Sequence, residues 1–235
     1  DADAVDWGIR VAVVFLFIGG SYSLYINGVA YGWWHAWGEK PTVAATTTPA
    51  ARPSPSASSE PAMSGGYEIG PDGVLVRPTE HAASTYSKPE LPDEAKENSE
   101  KGAEAAARHY LALIDYAWNT GDTQPLVDMS APTSEFASSY VRDINERYRN
   151  GWTYGSSATI TYVLRIEPIA ANGADIPEGT MITKFKFEAS NGTSCVNTRI
   201  FSPGTTHKRT LTLLMTWNDG RWMETQGRIA GSDEE

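Results

Sequence analysis

The residue types that most often carry chemistry are few and scattered in this chain. Cys195 is the single cysteine, so an internal disulfide cannot form. The four histidines do not cluster: they are His35, His81, His109 and His207. A structural zinc site needs several cysteine or histidine ligands at close spacing. We therefore predict no metal and no cofactor, and we interpret Cys195 as a small buried apolar residue rather than a nucleophile.

Asp115 and His109 are titratable side chains on one predicted helix, where acid–base catalysis would need one of them to be sheltered from water. By helical spacing Asp115, next to Ile114, falls on the polar side of that helix, which favours a solvated charge. His109 adjoins Arg108 on the exposed side. We therefore predict that the protein is not an enzyme.

A basic cluster, His207-Lys208-Arg209, follows a Ser-Pro-Gly turn. We interpret it as a solvated loop; the alternative is contact with an anionic partner or a cell-wall polymer. The Asn191-Gly192-Thr193 sequon is interpreted as an ordinary turn. The net charge of -10 and the pI near 4.9 argue against nucleic acid as a partner, because phosphates require a basic face.

Three helices are predicted ahead of Gly151. Ser99 suits the N-cap of the first helix, and Gly121 suits a left-handed C-cap. A short second helix covers 125–129, and a third covers 134–149. Apolar residues at spacings of three and four mark their buried faces, which are Ala106, Tyr110, Leu113, Ile114 and Ala117 on the first and Phe136, Tyr140, Val141, Ile144 and Tyr148 on the third.

After Gly151 the apolar pattern alternates every second residue, which predicts strands over 158–169, 181–188, 210–217 and 221–229. Asn218-Asp219-Gly220 predicts a tight hairpin turn. Alternation places Trp217 on the inward face and Trp222 on the other side. Helices followed by antiparallel strands predict an α+β domain over 91–231, with three helices packed on a curved, mainly antiparallel sheet.

The N-terminal segment, 1–38, is predicted to anchor the chain in a membrane. No charged residue occurs from position 11 to 38, and three tryptophans end the stretch as in an interfacial aromatic belt. A signal sequence and a buried soluble helix are the alternatives. Gly28, Gly32 and Ala36 recur every four residues beside Asn27, which predicts a helix-packing interface with a membrane protein or with a second copy.

Residues 39–90 are predicted to form a linker and an extended segment. The stretch 41–66 is rich in Pro, Ser, Thr and Ala and has almost no large apolar residue, so it cannot offset the entropy of ordering. Within the following residues, 74–76 are predicted to form a short strand after the Pro71-Asp72-Gly73 turn. This organisation predicts a single-pass membrane protein with an extracytoplasmic domain.

Two segments of the domain resemble the nuclear-transport-factor-2-like (ketosteroid-isomerase-like) fold. AEAAARHYLALIDYAWNTGDTQPLVDMSAP resembles its opening, and LTLLMTWNDGRWMETQGRI resembles its last hairpin. More narrowly, LPDEAKENSEKGAEAAARHY…YAWNTGDTQPL resembles an uncharacterised family of actinobacterial cell-envelope proteins, many of them lipoproteins. The chain departs from that family because SEFAS, at 134–138, lacks its paired cysteine and no lipobox cysteine is present.

The resemblance implies a cone-like domain with a pocket between sheet and helices. In enzymes of that fold an Asp or a Tyr projects into the pocket, which makes candidates of Tyr110, Asp115, Tyr140, Tyr148 and Tyr162. The implied pocket lining is Tyr110, Ile114, Tyr140 and Tyr162. Because no catalytic constellation is recognised, we expect a non-catalytic binding or interaction module of the cell envelope. The alternatives are an accessory subunit of a membrane complex and a pocket enzyme of isomerase or hydrolase type.

Overall fold

The computed structural model describes residues 64–173, 175–201 and 205–231. The predicted anchor, including its helix-packing residues Asn27, Gly28, Gly32 and Ala36, lies outside the described residues, as does the linker up to position 63. Among the helices of the described ranges, none combines the length and the apolar character needed to cross a bilayer.

Three α-helices occur in the described part of the chain, as predicted. Helix α1 spans Glu100–Thr120, α2 spans Gln124–Asp128 and α3 spans Glu135–Arg149. Ser99 Oγ accepts the Gly102 N–H at 3.0 Å and caps α1, and Gly121 ends α1 with φ 81°. Ser134 Oγ accepts the Ala137 N–H at 3.1 Å and caps α3 in the same way. The predicted helix boundaries follow from these capping residues.

Two antiparallel sheets follow the helices. Strands β2 (Ser157–Pro168), β3 (Thr180–Ser190), β6 (Thr206–Asn218) and β7 (Arg221–Gly231) form a four-stranded sheet in the order β2-β3-β6-β7. Strands β1 (Gly151–Tyr154), β4 (Thr193–Val196) and β5 (Arg199–Phe201) form a three-stranded sheet in the order β1-β4-β5. The prediction of one sheet was wrong in this respect, because strands of three or four residues are too short to establish an alternating pattern.

The predicted strands of the larger sheet are confirmed, and their inward residues form the core with α1. Phe185, Leu211 and Met215 are fully buried, as is Tyr110 from α1. The β6–β7 hairpin turns at Asp219 and Gly220, whose φ values of 49° and 78° are those of the favoured two-residue turn. The helices therefore cover one face of the sheet.

Strand β2 departs from simple alternation because two register shifts interrupt its pairing with β3, one between Ile160 and Tyr162 and one between Val163 and Arg165. Each shift adds a residue to β2 and bends the strand. Ile160, Val163 and Ile166 consequently face the core at intervals of three. Tyr162 is turned outward and is 64 % exposed, so its predicted place in a pocket lining is wrong.

The two tryptophans of the last hairpin lie opposite each other in the β6–β7 pairing, and their rings meet edge to face at 5.2 Å between centroids. Trp222 is 4 % exposed, whereas Trp217 is only half-buried at the end of the sheet. The prediction that they lie on different sides was therefore wrong. A two-residue turn keeps cross-strand partners on the same face.

Residues 64–90, which the sequence analysis places in the linker and extended segment, lie against the domain. The 71–73 turn is present, and Ile69 and Leu75 form an antiparallel bridge across it. Leu75 is 2 % exposed and packs with Trp152 and Cys195 under the smaller sheet. The Trp152 indole N–H donates to the Leu75 carbonyl at 2.8 Å. The segment supplies part of a second, smaller core.

Candidate functional site

A concave pocket of about 260 Å³ lies between α1, α3 and the larger sheet. We call it the Asp115 pocket. Its apolar wall consists of Leu111, Ile114, Trp118, Ala158, Phe187, Ala189 and Ile229, and its polar groups come from Asp115, Tyr140, Ser156, Ser157, Ser190, Asn191, His207 and Arg209. An apolar cavity with a few convergent polar groups is the usual form of a small-molecule site.

Asp115 is partly buried in this pocket and is not the solvated charge that its helical position predicted. Its Oδ2 accepts the Ala158 N–H at 2.6 Å, where β2 begins. No described residue hydrogen-bonds its second oxygen, Oδ1. Burial raises the pKa of the Asp115 carboxyl to about 7, and the hydrogen bond from Ala158 opposes part of that shift. The group can therefore exchange a proton near neutral pH.

Asn119, one helical turn after Asp115, holds the same stretch of backbone. Its side-chain amide donates to the Ser156 carbonyl at 2.8 Å, and its Oδ1 accepts the Ser156 N–H at 3.0 Å. Asn119 is 3 % exposed. Together these contacts fix the start of β2 against α1, and with it the position of the Asp115 carboxyl. The sequence analysis missed Asn119; its spacing of four from Asp115 was the available signal.

Tyr140 from α3 lines the pocket beside Asp115. Burial raises the pKa of its hydroxyl to about 12, and the charges of Asp115 and Asp143 contribute. Within the described ranges no residue hydrogen-bonds this hydroxyl. Tyr140 therefore stays protonated and offers a donor to whatever occupies the cavity. Ile114 also lines the pocket, so two of the four implied lining residues are brought together.

Tyr110 lies elsewhere, in a buried polar cluster that we call the Glu224 cluster, formed by Tyr110, Ser130, Ser134 and Glu224. The Tyr110 hydroxyl lies 3.1 Å from Glu224 Oε2 and 2.9 Å from Ser130 Oγ. Ser134 Oγ donates to Glu224 Oε1 at 3.0 Å. Burial raises the pKa of the Glu224 carboxyl above its ordinary value. The sequence analysis missed Glu224, although alternation from an inward Trp222 would have placed it inside.

The hydrogen atoms of the Glu224 cluster can be counted. Ser130 Oγ donates to the Leu126 carbonyl at 2.8 Å, so Tyr110 must supply the hydrogen between itself and Ser130. The Tyr110 hydroxyl has one hydrogen and cannot also donate to Glu224. A protonated Glu224 supplies the missing hydrogen by donating to the Tyr110 oxygen. The neutral acid therefore satisfies every contact of the cluster, which agrees with the direction of its pKa shift.

His109 and Cys195 are further residues that the sequence analysis considered. His109 is half-buried rather than exposed, because it lies in a groove of about 420 Å³ that Leu91 and Trp222 also line. Burial lowers the pKa of its imidazole. Cys195 is fully buried, as predicted, and burial raises the pKa of its thiol to about 11, which leaves it a neutral apolar side chain.

The basic cluster at 207–209 is divided by the alternation of β6. His207 and Arg209 line the Asp115 pocket, whereas the Lys208 ammonium pairs with Glu188 at 3.5 Å. Tyr148 lies outside the pocket, and its hydroxyl donates to the Trp118 carbonyl at 2.9 Å. No group of three or more metal-ligating side chains occurs in the part of the chain that the structure describes.

Comparison with solved structures finds similar arrangements at low identity. The intermembrane-space region of the chloroplast protein ARC6 aligns with a TM-score of 0.39 at 10% identity, covering 57% of this chain and 98% of that one. An NTF-2-like protein of unknown function from Shewanella oneidensis aligns with a TM-score of 0.32 at 14% identity, covering 53% of this chain and 95% of that one.

Comparison with curated proteins gives no match. The model of DUF6318, a family of unknown function, matches residues 78–227, which is more than half of the chain. The match begins within the segment that packs under the smaller sheet and ends in β7, so it includes the Glu224 cluster and every lining residue of the Asp115 pocket except Ile229. The chain belongs to the DUF6318 family of proteins of unknown function.

Proposed function

We propose that the protein is a membrane-tethered, non-catalytic binding module whose C-terminal domain holds a small ligand in the Asp115 pocket. The observation that carries this proposal is the pair formed by Asp115 Oδ1 and the Tyr140 hydroxyl. Both lie in the Asp115 pocket next to its apolar wall, and neither has a hydrogen-bond partner in the described part of the chain. Polar groups left without partners in an apolar cavity make a ligand that satisfies them favourable.

The tether and its orientation belong to the same proposal and are supported by sequence. The uncharged stretch 11–38 is long enough to span a bilayer, and the Pro/Ser/Thr/Ala-rich stretch 41–66 would hold the domain away from the surface. The resemblance to actinobacterial cell-envelope proteins of lipoprotein type supports an extracytoplasmic domain of the cone-like, nuclear-transport-factor-2-like kind. The helix-packing residues support the alternative of an accessory subunit docked on a membrane protein.

Fragment binding to the full-length protein in detergent micelles tests the proposal. A panel of single-ring neutral, cationic and anionic compounds is examined by ligand-observed NMR. We expect binding that disappears in Ala189→Leu, because Ala189 lines the pocket and the added atoms would fill it. Ala170→Leu, at an exposed position, is the matched control and should bind normally. Binding that survives in Ala189→Leu would place the ligand elsewhere and contradict the proposal.

One observation favours a second function, a pocket enzyme of isomerase or hydrolase type. The pKa of about 7 at Asp115 is suitable for a general base near neutral pH. Activity on panels of enolisable ketones and of esters tests this alternative. The expected result for an enzyme is turnover that rises as the pH passes about 7 and is lost in Asp115→Asn. Turnover that Asp115→Asn retains would exclude Asp115 as the base.

A further inference from the structure

The rim of the Asp115 pocket carries positive charge because of the register of β6. Leu211, Leu213 and Met215 point into the core. Because side chains at intervals of two share one face of a strand, Arg209 and His207, nearer the start of β6, lie on that same face. Arg209 lies opposite Phe187 and His207 lies opposite Ala189 in the β3–β6 pairing. The apolar wall of the pocket therefore ends at two basic side chains.

Arg209 differs from its basic neighbour on β6. Lys208 faces the other side of the sheet and pairs with Glu188. The Arg209 guanidinium has neither a hydrogen bond nor an ion pair with any residue of the described ranges. Although the chain has a net charge of -10, no carboxylate of the described ranges pairs with this guanidinium at the pocket mouth. Its planar fork of donors fits a carboxylate in a bidentate arrangement.

The inner end of the pocket has the opposite character. Asp115 is held there by Ala158, and Tyr140 is its neighbour. An anion placed beside Asp115 would be repelled by the ionised carboxylate, and an anion beside Arg209 would be attracted. The pocket therefore distinguishes the two ends of an elongated ligand. Phe187 and Ile229 on the sheet offer an apolar surface along the pocket wall.

We propose that the Asp115 pocket takes a small amphipathic carboxylate, bound with its anionic group at Arg209 and His207, its ring against Phe187, and a hydroxyl group directed to Asp115 and Tyr140. The inference rests on the proposed binding function and adds the chemical class and the orientation of the ligand. The volume of about 260 Å³ limits the ligand to a single ring with short substituents.

Three related probes test the carboxylate end of the ligand. They are 3-(4-hydroxyphenyl)propanoate, its primary amide and 3-phenylpropanoate, each titrated into the full-length protein in micelles. We expect the hydroxyphenyl acid to bind about tenfold more tightly than its amide. Arg209→Gln should remove that preference by weakening the acid and leaving the amide unchanged. Lys208→Gln, which removes the same charge from the adjacent position, should keep the preference.

Comparison of the hydroxyphenyl acid with 3-phenylpropanoate tests the hydroxyl end of the ligand. The hydroxyphenyl acid should bind more tightly than 3-phenylpropanoate, and Tyr140→Phe together with Asp115→Asn should reduce that difference. Equal binding of acid and amide, or no effect of Arg209→Gln, would overturn the inference. The proposed binding function would still stand if fragments of the first panel bind to the wild type and not to Ala189→Leu. If neither these probes nor any fragment of the panel binds, the inference and the binding function both fail.

Discussion

At the scale of single residues, the hydrogen bonds of the Glu224 cluster depend on whether the Glu224 carboxyl carries a proton. The neutral acid allows Glu224 to donate to Tyr110, Tyr110 to Ser130, and Ser130 to the Leu126 carbonyl. Ionisation removes the first hydrogen, so the cluster loses either the bond between Tyr110 and Ser130 or the bond from Ser130 to the Leu126 carbonyl, which keeps the bond from the Met129 N–H. An unmade buried hydrogen bond costs about 1–3 kcal/mol. The cluster is therefore expected to weaken when Glu224 loses its proton.

The pH dependence follows from the sign of the shift. The folded pKa of Glu224 is raised above the unfolded value, so the folded state binds the proton more tightly. Its stabilising contribution is complete below the unfolded pKa, and it declines as the pH rises through the folded pKa. Glu224→Gln keeps a neutral donor at this position. We expect the variant to gain stability relative to the wild type as the pH is raised from about 4 to 9.

Urea denaturation of both proteins across that pH range measures this difference. Asp115 titrates in both proteins, so its contribution cancels in the comparison. Glu224→Ala is the second variant and should be less stable than the wild type at low pH, because it leaves the Tyr110 and Ser134 hydroxyls without their partner. A wild-type-minus-variant difference that does not change with pH would show that folding does not raise the pKa of Glu224.

The tryptophans of the last hairpin give a second prediction for single residues. Trp222 is buried, and its indole N–H donates to the Glu97 carbonyl at 2.9 Å. Trp222→Ala should therefore cost about 3–5 kcal/mol of unfolding free energy. Trp217→Ala should cost roughly half as much, because its ring is only half-buried. Equal losses in urea denaturation would contradict this prediction. A larger loss at Trp217 would instead support the assignment made from alternation, in which Trp217 faces inward and Trp222 lies on the other side.

At the residue scale, the direction in which a side chain faces could be predicted from the sequence only where the helix or strand keeps a regular period. Tyr140 and Ile114 line the Asp115 pocket, and their place on the inward faces of α3 and α1 could be predicted because both helices have uninterrupted periods. The direction of Tyr162 could not be predicted, because a register shift next to it is a property of the β2–β3 pairing and leaves no mark in β2 alone. Asp115 looked solvated because its helix face is covered by the start of β2, which comes from 43 residues away.

At the scale of elements, Arg77 joins the N-terminal segment of the domain to α1 and the smaller sheet. Its guanidinium donates to the Asn119 carbonyl at 2.6 Å and to the Thr153 carbonyl at 3.2 Å. It also lies 5.6 Å from the centroid of the Trp152 ring, within the range of a cation–π contact. The same side chain donates to the His81 carbonyl. A single arginine thus connects three separate parts of the chain: its own segment, the end of α1, and β1.

The prediction for this element uses Arg77→Lys, which keeps the charge and removes the fork of donors. Losing two or more of these bonds should cost about 1–3 kcal/mol and loosen residues 64–90 from the domain. Limited proteolysis with thermolysin should then cleave near Leu75 roughly tenfold faster. Arg142→Lys is the matched control, because Arg142 is exposed and contacts only the neighbouring Asp143. Equal cleavage rates in the two variants would contradict the role of Arg77.

The elements themselves were largely predictable, and the exceptions have a physical cause. Capping residues and long apolar stripes marked α1, α3, β3 and β6. The smaller sheet was not foreseen, because β1, β4 and β5 are stabilised by contacts with Leu75 and Arg77 rather than by their own pattern. Short strands depend on their neighbours, and such tertiary contacts cannot be read from the period of a few residues.

At the scale of the whole molecule, the proposed topology predicts where a protease can reach the intact cell. The stretch 41–66 has little apolar surface, and residues 64–231 form the domain beyond it. Protease added outside intact cells should therefore cut within 41–66 and release the domain. Antibodies to the domain and to the N-terminus would follow the two products. Full protection, with the domain recovered from the cytoplasm, would contradict both the anchor and its orientation.

The anchor is further expected to associate with another helix. In hydrocarbon, apolar side chains gain nothing by leaving lipid, so association depends on close packing and interhelical hydrogen bonds. Gly28, Gly32 and Ala36 would lie on one helix face and allow close approach, and Asn27 would bond across the contact with about 0.6–2 kcal/mol. The partner is either a larger membrane protein or a second copy of the chain.

Replacing Gly28 and Gly32 together by isoleucine would block close approach without lowering the hydrophobicity of the segment. Co-purification of the full-length protein with a differently tagged copy, and with its other membrane partners, should then fall severalfold. Gly19→Ile with Gly20→Ile makes the same two substitutions and serves as the control, because at 100° per residue both positions would lie away from the face of Gly28, Gly32 and Ala36. If the glycine variant keeps all its partners, the segment acts only as a tether, and the domain must find its ligand without a docked neighbour.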